Sequence, residues 1–228
     1  MEWIKTQKRF ICFLDIMGFK DLVFRNPHSL IYDKLLHLKD HLDYYSKLGG
    51  TNDKPYPRHV LFSDSILVIS PSDTNDDFRE LVNTINHFIY ICIKAGIPIK
   101  GAVSYGELTA DFEKSIFFGQ PLIDAYLLQE EVGIYGVILD FNSEAKMKQL
   151  NVQGDKQTWR KLCFYPVPTK SGSINHFAFT WVSKDNLEGS LDFVNHLYNL
   201  VSGRPRLYVD NTLKYTKHII EIKKTESQ

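Results

Sequence analysis

Two short apolar segments, each meeting an aspartate, constrain the fold of this chain most. Residues 9–16 are dominated by β-branched and aromatic side chains, and Gly18 then breaks the run, so they predict a buried strand. Residues 59–62 and 66–69 are apolar and are separated by Ser63, Asp64 and Ser65. That spacing predicts two strands joined by a tight turn, with one aspartate in the turn and another, Asp15, near the end of the first strand.

The rest of the chain alternates helices with strands. Apolar residues at three- and four-residue spacing predict helices at residues 28–47, 76–94 and 121–132, with Gly49-Gly50 ending the first. Strands are predicted at 97–104, 115–118 and 136–140. Beyond Asn142 the pattern predicts a short helix to about residue 150, strands at 162–166 and 176–181, a helix at 187–201 and a helical tail.

This order predicts an α+β fold with a mixed sheet and helices packed on one face. We expect a ferredoxin-like core over about residues 9–140 and a C-terminal elaboration over about 141–228. Residues 1–228 are predicted to form a single domain.

Composition argues against several classes of protein. The 228 residues carry 27 Lys+Arg and 27 Asp+Glu, and zero net charge argues against a dedicated surface for nucleic acid or an anionic membrane. No apolar stretch reaches the ~18 residues of a membrane helix, and the N-terminal run is too short for a signal peptide. Cys12, Cys92 and Cys163 are an odd number in apolar surroundings without a CxxC motif, which predicts reduced core cysteines in a cytoplasmic protein.

Asp15 and Asp64 are the residues that point most strongly to chemistry. Each interrupts or ends an apolar strand, where a carboxylate is costly unless a cation or a hydrogen-bond donor meets it. Taken singly, Asp15 could cap a helix and Asp64 could be an ordinary turn residue. Taken together, they could share divalent cations, and hard cations such as Mg²⁺ prefer carboxylate and phosphate oxygens.

Residues 13–19, Phe-Leu-Asp-Ile-Met-Gly-Phe, resemble the F-x-D-I-x-G-F motif of the class III nucleotidyl cyclases. Ser63-Asp64 falls where that family has a Gly-Asp hairpin, and residues 99–106 and 118–128 are similar to its next strand and its next strand-to-helix passage. The resemblance covers about residues 9–140. It implies a core that uses two Mg²⁺ or Mn²⁺ ions per site, held by Asp15, Asp64 and the backbone carbonyl of Ile16, and head-to-tail pairing of two chains into composite sites.

Departures from the family bear on the substrate. The positions that select the purine in adenylyl and guanylyl cyclases fall at Val60 and Ile116, and neither side chain can hydrogen-bond to a base edge. The family's transition-state Asn and Arg fall at Ile123 and Leu127, which cannot serve either. These losses fit the short pyrimidine cyclases of the Pycsar antiphage systems, which the chain resembles in length, in residues 62–65 and in residues 119–126.

Four residues are candidates for contacts to the phosphates. Phe19 and Lys20 directly follow the metal motif, where a turn leads into a helix with free backbone N–H groups. Lys100 precedes Gly101 in a predicted strand, and Lys170 lies in a predicted loop. The alternative for each lysine is an ordinary solvated side chain.

Tyr56 and Arg58 are candidates for contacts to the base. If they share a strand with Val60, its period-two geometry turns all three to one face, where the first two could reach a pyrimidine. The alternative is that they only cover a surface near two prolines. Arginine is solely a donor and uracil presents an acceptor oxygen at position 4, which favours UTP, although Arg58 could equally contact N3 and O2 of cytosine.

The resemblance implies a pyrimidine cyclase, and the argument from Arg58 favours a uridylate cyclase that converts UTP to 3′,5′-cyclic UMP and pyrophosphate. The cyclic UMP would be a second messenger that activates a separate effector protein during phage infection. A cytidylate cyclase making cyclic CMP is one alternative. A catalytically degenerate domain that only binds a nucleotide is another, because it also explains the missing Asn and Arg. A diguanylate-cyclase-like palm would share the fold, but its G-G-[DE]-E-F signature is missing at residues 62–66.

Overall fold

The computed structural model describes residues 3–48 and 56–225. The strands in this part of the chain are β1 Thr6–Ile16, β2 Arg58–Phe62, β3 Ser65–Ile69, β4 Ile99–Asp111, β5 Ile116–Phe118, β6 Gly136–Leu139, β7 Leu162–Thr169 and β8 Gly172–Phe179. The helices are α1 Phe19–Arg25, α2 His28–Leu48, α3 Asn75–Lys94, α4 Gln120–Glu131, α5 Phe141–Gln149, α6 Lys156–Trp159, α7 Leu187–Tyr198 and α8 Arg204–Thr225.

One mixed sheet organises the molecule. Its strands run in the order β2-β3-β1-β4-β6-β8-β7, and β5 pairs separately with β4. The pairing of β4 with β6 is parallel, while β1 pairs with both β3 and β4 in antiparallel fashion. The predicted α+β fold with a mixed sheet is confirmed.

The two faces of β1 carry different helices. Phe10, on one face, packs against Phe78 of α3 with ring centroids 4.7 Å apart, and α2 adds buried leucines to the same cluster. On the opposite face the ring of Phe13 packs edge-on against that of Tyr126 of α4, with the ring centroids 5.3 Å apart. Helices α2 and α3 thus lie on one face, as predicted, whereas α4 lies on the other. Because side chains alternate along a strand, Asp15 faces the same side as Phe13 and α4.

Three local features differ from the predictions or add to them. The turn at Gly18 was expected to lead into a helix, and that helix, α1, has no buried residue although Phe19 packs partly against the core. Strand β4 runs past the predicted residue 104 to Asp111, because its pairing with β1 continues through Gly106, opposite Arg9, to Thr109, opposite Thr6. Tyr56 precedes β2 rather than lying in it. The predicted helix end at Gly49-Gly50 lies outside the described residues.

The C-terminal elaboration is built into the same core. The β7–β8 hairpin extends the sheet beyond β6 through the pairing of Ile138 with Ala178. Helix α8 buries Val209, Tyr215 and Ile219 in the hydrophobic cluster that also contains the β1 residues. Cysteines 12, 92 and 163 are buried and unpaired, as predicted. Within residues 3–48 and 56–225, no helix has the length and apolar character needed to cross a bilayer.

Candidate active site

Strand pairing brings the two predicted metal ligands together. Asp15 lies opposite Ser65 in the β1–β3 register, and the N–H of Ile16 donates to the carbonyl oxygen of Asp64 at 2.9 Å. Neighbours across an antiparallel pair lie within about 8 Å, so the two aspartates occupy one end of adjacent strands. The turn between β2 and β3 is only Ser63-Asp64, and Ser63 takes a positive φ of 58° there.

The charge environment of Asp15 fits a cation site. Partial burial raises the pKa of the Asp15 carboxyl, Lys100 opposes that rise, and the negative charges of Asp64 and Glu130 add to it. Neither Asp15 nor Asp64 accepts a side-chain hydrogen bond or forms an ion pair within residues 3–48 and 56–225. The alternative that Asp15 caps a helix is wrong, because Gly18, with a φ of 75°, holds the N-cap position of α1.

Lys100 is held directly beside Asp15. The two residues are paired in the β1–β4 register, and Lys100 is only 4% exposed. Its Nζ donates to the backbone carbonyl of Glu130 at 3.4 Å. Burial lowers the pKa of the Lys100 ammonium, while Glu130 and Asp15 raise it. A buried ammonium without an ion pair is costly unless an anion approaches it.

Lys170 reaches the same place from the β7–β8 turn. Its backbone N–H donates to the carbonyl of Glu131, and its Nζ donates to the Glu130 carboxylate at 3.1 Å. This contact with Lys170 holds the pKa of Glu130 below its usual value. The three sequence-predicted residues Asp15, Lys100 and Lys170 therefore line one open pocket of about 380 Å³.

The same pocket contains residues that the sequence did not single out. They are Met17, Glu130, Arg204, Pro205 and Tyr208. The last three come from the start of α8, more than 180 positions from Asp15 in the chain. No motif linked them to the metal ligands, because only the packing of α8 brings them there.

Phe19 and Lys20 begin α1, just beyond the metal loop. Phe19 packs partly against the core, whereas Lys20 is exposed and does not line the pocket. Phe19 does not line the pocket either, and the predicted phosphate contacts of Phe19 and Lys20 stay predictions.

Of the residues considered for contacts to the base, Arg58 and Val60 lie farther along the same face. Val60 pairs with Leu67 and lines an apolar groove of about 440 Å³ with Phe13 and Tyr126. The guanidinium of Arg58 lies 4.7 Å from the ring centroid of Trp3. Tyr56 is exposed ahead of β2, so strand alternation does not orient it. Their roles in base recognition stay predictions.

The donor set in this site suits hard divalent cations. Asp15, Asp64 and the backbone of Ile16 offer oxygen ligands, which Mg²⁺ and Mn²⁺ prefer. Within the part of the chain that the structure describes, no group of three or more His, Cys, Asp or Glu side chains could by itself hold a metal. Ions bound here would therefore need further oxygens from water or from substrate phosphates, as is usual for Mg²⁺.

Comparison of sequences yields no relative. No protein-family profile matches the chain. No curated protein matches it either.

Comparison of folds finds nucleotidyl cyclase domains. The guanylate cyclase domain of RhGC from Catenaria anguillulae, in complex with GTP, is 16% identical with a TM-score of 0.55, covering 77% of this chain and 98% of that one. The catalytic core of a rhodopsin-guanylyl cyclase with converted specificity, in complex with ATPαS, is 16% identical with a TM-score of 0.55, covering 76% and 97%. An unconventional dimeric guanylyl cyclase domain of the RhoGC fusion protein from Blastocladiella emersonii is 14% identical with a TM-score of 0.56, covering 76% and 96%. The chain therefore has the fold of class III nucleotidyl cyclase catalytic domains.

Proposed function

We propose that the chain is a metal-dependent nucleotidyl cyclase that converts a nucleoside triphosphate into a 3′,5′-cyclic mononucleotide and pyrophosphate. One observation carries the proposal. On a cyclase fold, Asp15 near the end of β1 and Asp64 in the turn before β3 have no ion pair among the described residues, and Asp15 lines a pocket together with Lys100 and Lys170.

The reaction requires an in-line displacement at the α-phosphorus. The ribose 3′-oxygen forms a new bond to that phosphorus, the bond to the bridging oxygen of the β-phosphate breaks, and the hydroxyl proton passes to water. Asp15, Asp64 and the Ile16 carbonyl are the residues that would hold two divalent cations. The chemistry such ions supply when bound is a lower pKa for the 3′-hydroxyl and neutralisation of charge on the leaving pyrophosphate.

The residues of this chain would mainly position and neutralise the substrate. Lys100 and Lys170, which line the pocket with Asp15, would bind the phosphates, together with the backbone at Phe19 and the side chain of Lys20. Positioning and charge neutralisation supply most of the catalysis in phosphoryl transfer. A buried ammonium such as that of Lys100 is already held in place before substrate binds.

The active form would be a homodimer of two head-to-tail chains. The face that carries Asp15 also exposes large apolar side chains: Phe62 is 80% exposed, Ile123 51% and Leu127 56%. A patch of this kind on the Val60 groove is typical of a protein interface. Ile123 and Leu127 occupy the family's transition-state positions, so the face supports association but not transition-state hydrogen bonding.

UTP is the substrate we propose, with CTP as the alternative. The side chains of Val60 and Ile116 cannot hydrogen-bond to a purine edge. Arg58 lies on the same face of the sheet as Val60 and could donate to a pyrimidine carbonyl oxygen. Tyr56, which precedes β2, is the second candidate for a contact to the base. The cyclic nucleotide would activate a separate effector protein in antiphage defence in the cytoplasm, and the three unpaired thiols support a reducing compartment.

A direct assay tests the activity. The purified chain is incubated separately with ATP, GTP, CTP and UTP in the presence of Mn²⁺, and products are identified by mass spectrometry. We expect cyclic UMP and pyrophosphate from UTP. Cyclic CMP would assign the alternative substrate, and a cyclic purine nucleotide would contradict the pyrimidine assignment.

A nucleotide-binding domain without turnover is the second candidate function. Ile123 and Leu127 favour it, because an isoleucine and a leucine cannot stabilise a charged transition state. Absence of product from all four triphosphates, together with measurable binding of one of them, would establish this candidate and refute the cyclase.

A further inference from the structure

Arg204 is a charged residue of the pocket that has no side-chain partner in the described part of the chain. It is exposed at the first position of α8 and lines the pocket with Asp15, Lys100 and Lys170. Its guanidinium makes no hydrogen bond or ion pair with residues 3–48 or 56–225. Arg206, two positions later, instead donates from Nε to the carbonyl of Val201 at 3.0 Å and stacks over the Tyr198 ring at 5.3 Å.

The start of α8 is fixed relative to the pocket. The side-chain amide of Asn211 donates to the carbonyl of Gly133 at 3.0 Å, and the N–H of Tyr135 donates to Oγ1 of Thr212 at 2.8 Å. Both contacts tie α8 to the loop after α4, whose last turn carries Glu130. Burial of Val209 and Tyr215 anchors the helix further. The position of the Arg204 backbone is therefore set by the core, while its side chain remains free to bind.

The charged side chains of the pocket leave an excess of positive charge after the ion pair between Lys170 and Glu130 is set aside. Lys170 is paired with Glu130 at 3.1 Å. Lys100 and Arg204 have no ion pair within the described chain, and the other carboxylate, Asp15, is the proposed metal ligand. The volume of about 380 Å³ corresponds to roughly a dozen water molecules. The pocket therefore has the volume and the positive charge to bind a compact polyanion.

We propose that Arg204 binds the terminal phosphates of the substrate and the pyrophosphate product, in the same chain that supplies Asp15. The planar guanidinium can contact two phosphate oxygens at once, which an ammonium cannot do. Helix α8 thereby provides an arginine on the phosphate side of the site. On α4, the position of the family's transition-state arginine is occupied by Leu127. The inference rests on the proposed function for the identity of the ligand.

Binding of inorganic polyphosphates tests this role without requiring turnover. Isothermal titration calorimetry measures the affinity of the full chain for pyrophosphate and for tripolyphosphate, with Mg²⁺ and ionic strength held constant. We expect Arg204→Gln to weaken both affinities about tenfold, as the loss of a charge-assisted contact predicts. Arg204→Lys should fall between wild type and Arg204→Gln. Lys217→Gln, an exposed cation on the same helix outside the pocket, should bind like wild type.

The outcomes separate this inference from the cyclase proposal. Unchanged affinity in Arg204→Gln, an equal loss in Lys217→Gln, or no measurable binding by wild type would overturn the role of Arg204 even if cyclic product forms. Arg204-dependent binding without product from any triphosphate would uphold it while refuting the cyclase. Thermal unfolding should be unchanged in Arg204→Gln, because the side chain contacts no described residue through a hydrogen bond or ion pair.

Discussion

Replacing Asp64 by asparagine should change stability and activity in opposite directions. The Asp64 charge raises the pKa of Asp15, so the two carboxylates repel each other in the folded protein. At about 8 Å and an effective dielectric constant of about 20, that repulsion is about 2 kcal/mol, and salt screening reduces it to about 1 kcal/mol or less. The Asp64 side chain gives up no described hydrogen bond, and asparagine is well suited to a turn. In the absence of metal, Asp64→Asn should therefore unfold about 1–3 °C above wild type.

The same substitution should abolish most of the cyclisation. Metal-held charge stabilisation is worth several kcal/mol in the transition state, and each 1.36 kcal/mol is a factor of ten in rate. Loss of one of the two carboxylate ligands should thus lower kcat by about 10³-fold or more. Because the turn and the Ile16 N–H to Asp64 O contact use the backbone, the fold should persist.

Two measurements on one preparation check the reasoning. Calorimetric unfolding in EDTA gives the Tm, and quantification of the cyclic product with Mn²⁺ gives kcat. Asp33→Asn, an exposed carboxylate on α2, serves as the control and should change neither. If Asp64→Asn retains more than a tenth of the wild-type kcat, the assignment of Asp64 as a metal ligand is refuted. A fall in Tm of several degrees would instead refute the repulsion between the two aspartates.

Three further changes have defined outcomes. Ile123→Asp should convert the dimer to a monomer in analytical ultracentrifugation with an unchanged circular dichroism spectrum, and a persisting dimer would refute the use of this face. Gly101→Ala should lower the free energy of unfolding in urea by about 1–3 kcal/mol, since its Cβ would lie 2.5 Å from the carbonyl oxygen of Phe13; equal stability would contradict the close approach of β1 and β4. Burial lowers the pKa of His87 to about 4, so the unfolded chain takes up a proton that the folded chain resists, and unfolding free energy should fall by about 1–2 kcal/mol as pH drops from about 6.5 to 4. His87→Phe should flatten that dependence in urea titrations at pH 7 and 5, and an unchanged slope would show that another group causes it.

Much of the fold was predictable because its strands and long helices bury apolar residues at a regular spacing. The β1 run and the β2–β3 hairpin follow from their apolar sequences, and α3 from its apolar face, capped by Thr74, whose Oγ1 accepts from the N–H of Asp77. The extension of β4 was missed because a glycine weakens a strand pattern, and the pairing that carries the strand past Gly106 is with residues 6–9, about 100 positions earlier in the chain. The side of the sheet on which α4 packs is likewise a tertiary property.

The candidate site was predictable where it lies on regular elements. Asp15 and Lys100 are direct partners across two strands, and Lys170 sits in a short turn between two predicted strands. Arg204 could not be found in this way, because its sequence neighbourhood resembles any polar helix start. Its relation to Asp15 depends on how α8 docks on the loop near Gly133.

The docking of α8 also bears on the order in which the protein becomes competent during synthesis. The hydrogen bonds that hold α8 join residues 77 and 78 positions apart, and contacts between segments so distant are slow to form. The two aspartates can meet once the first three strands have emerged from the ribosome, whereas the opposite wall of the pocket must wait for more than 200 residues. A nascent chain would therefore acquire its acidic cluster long before it could retain a polyanion.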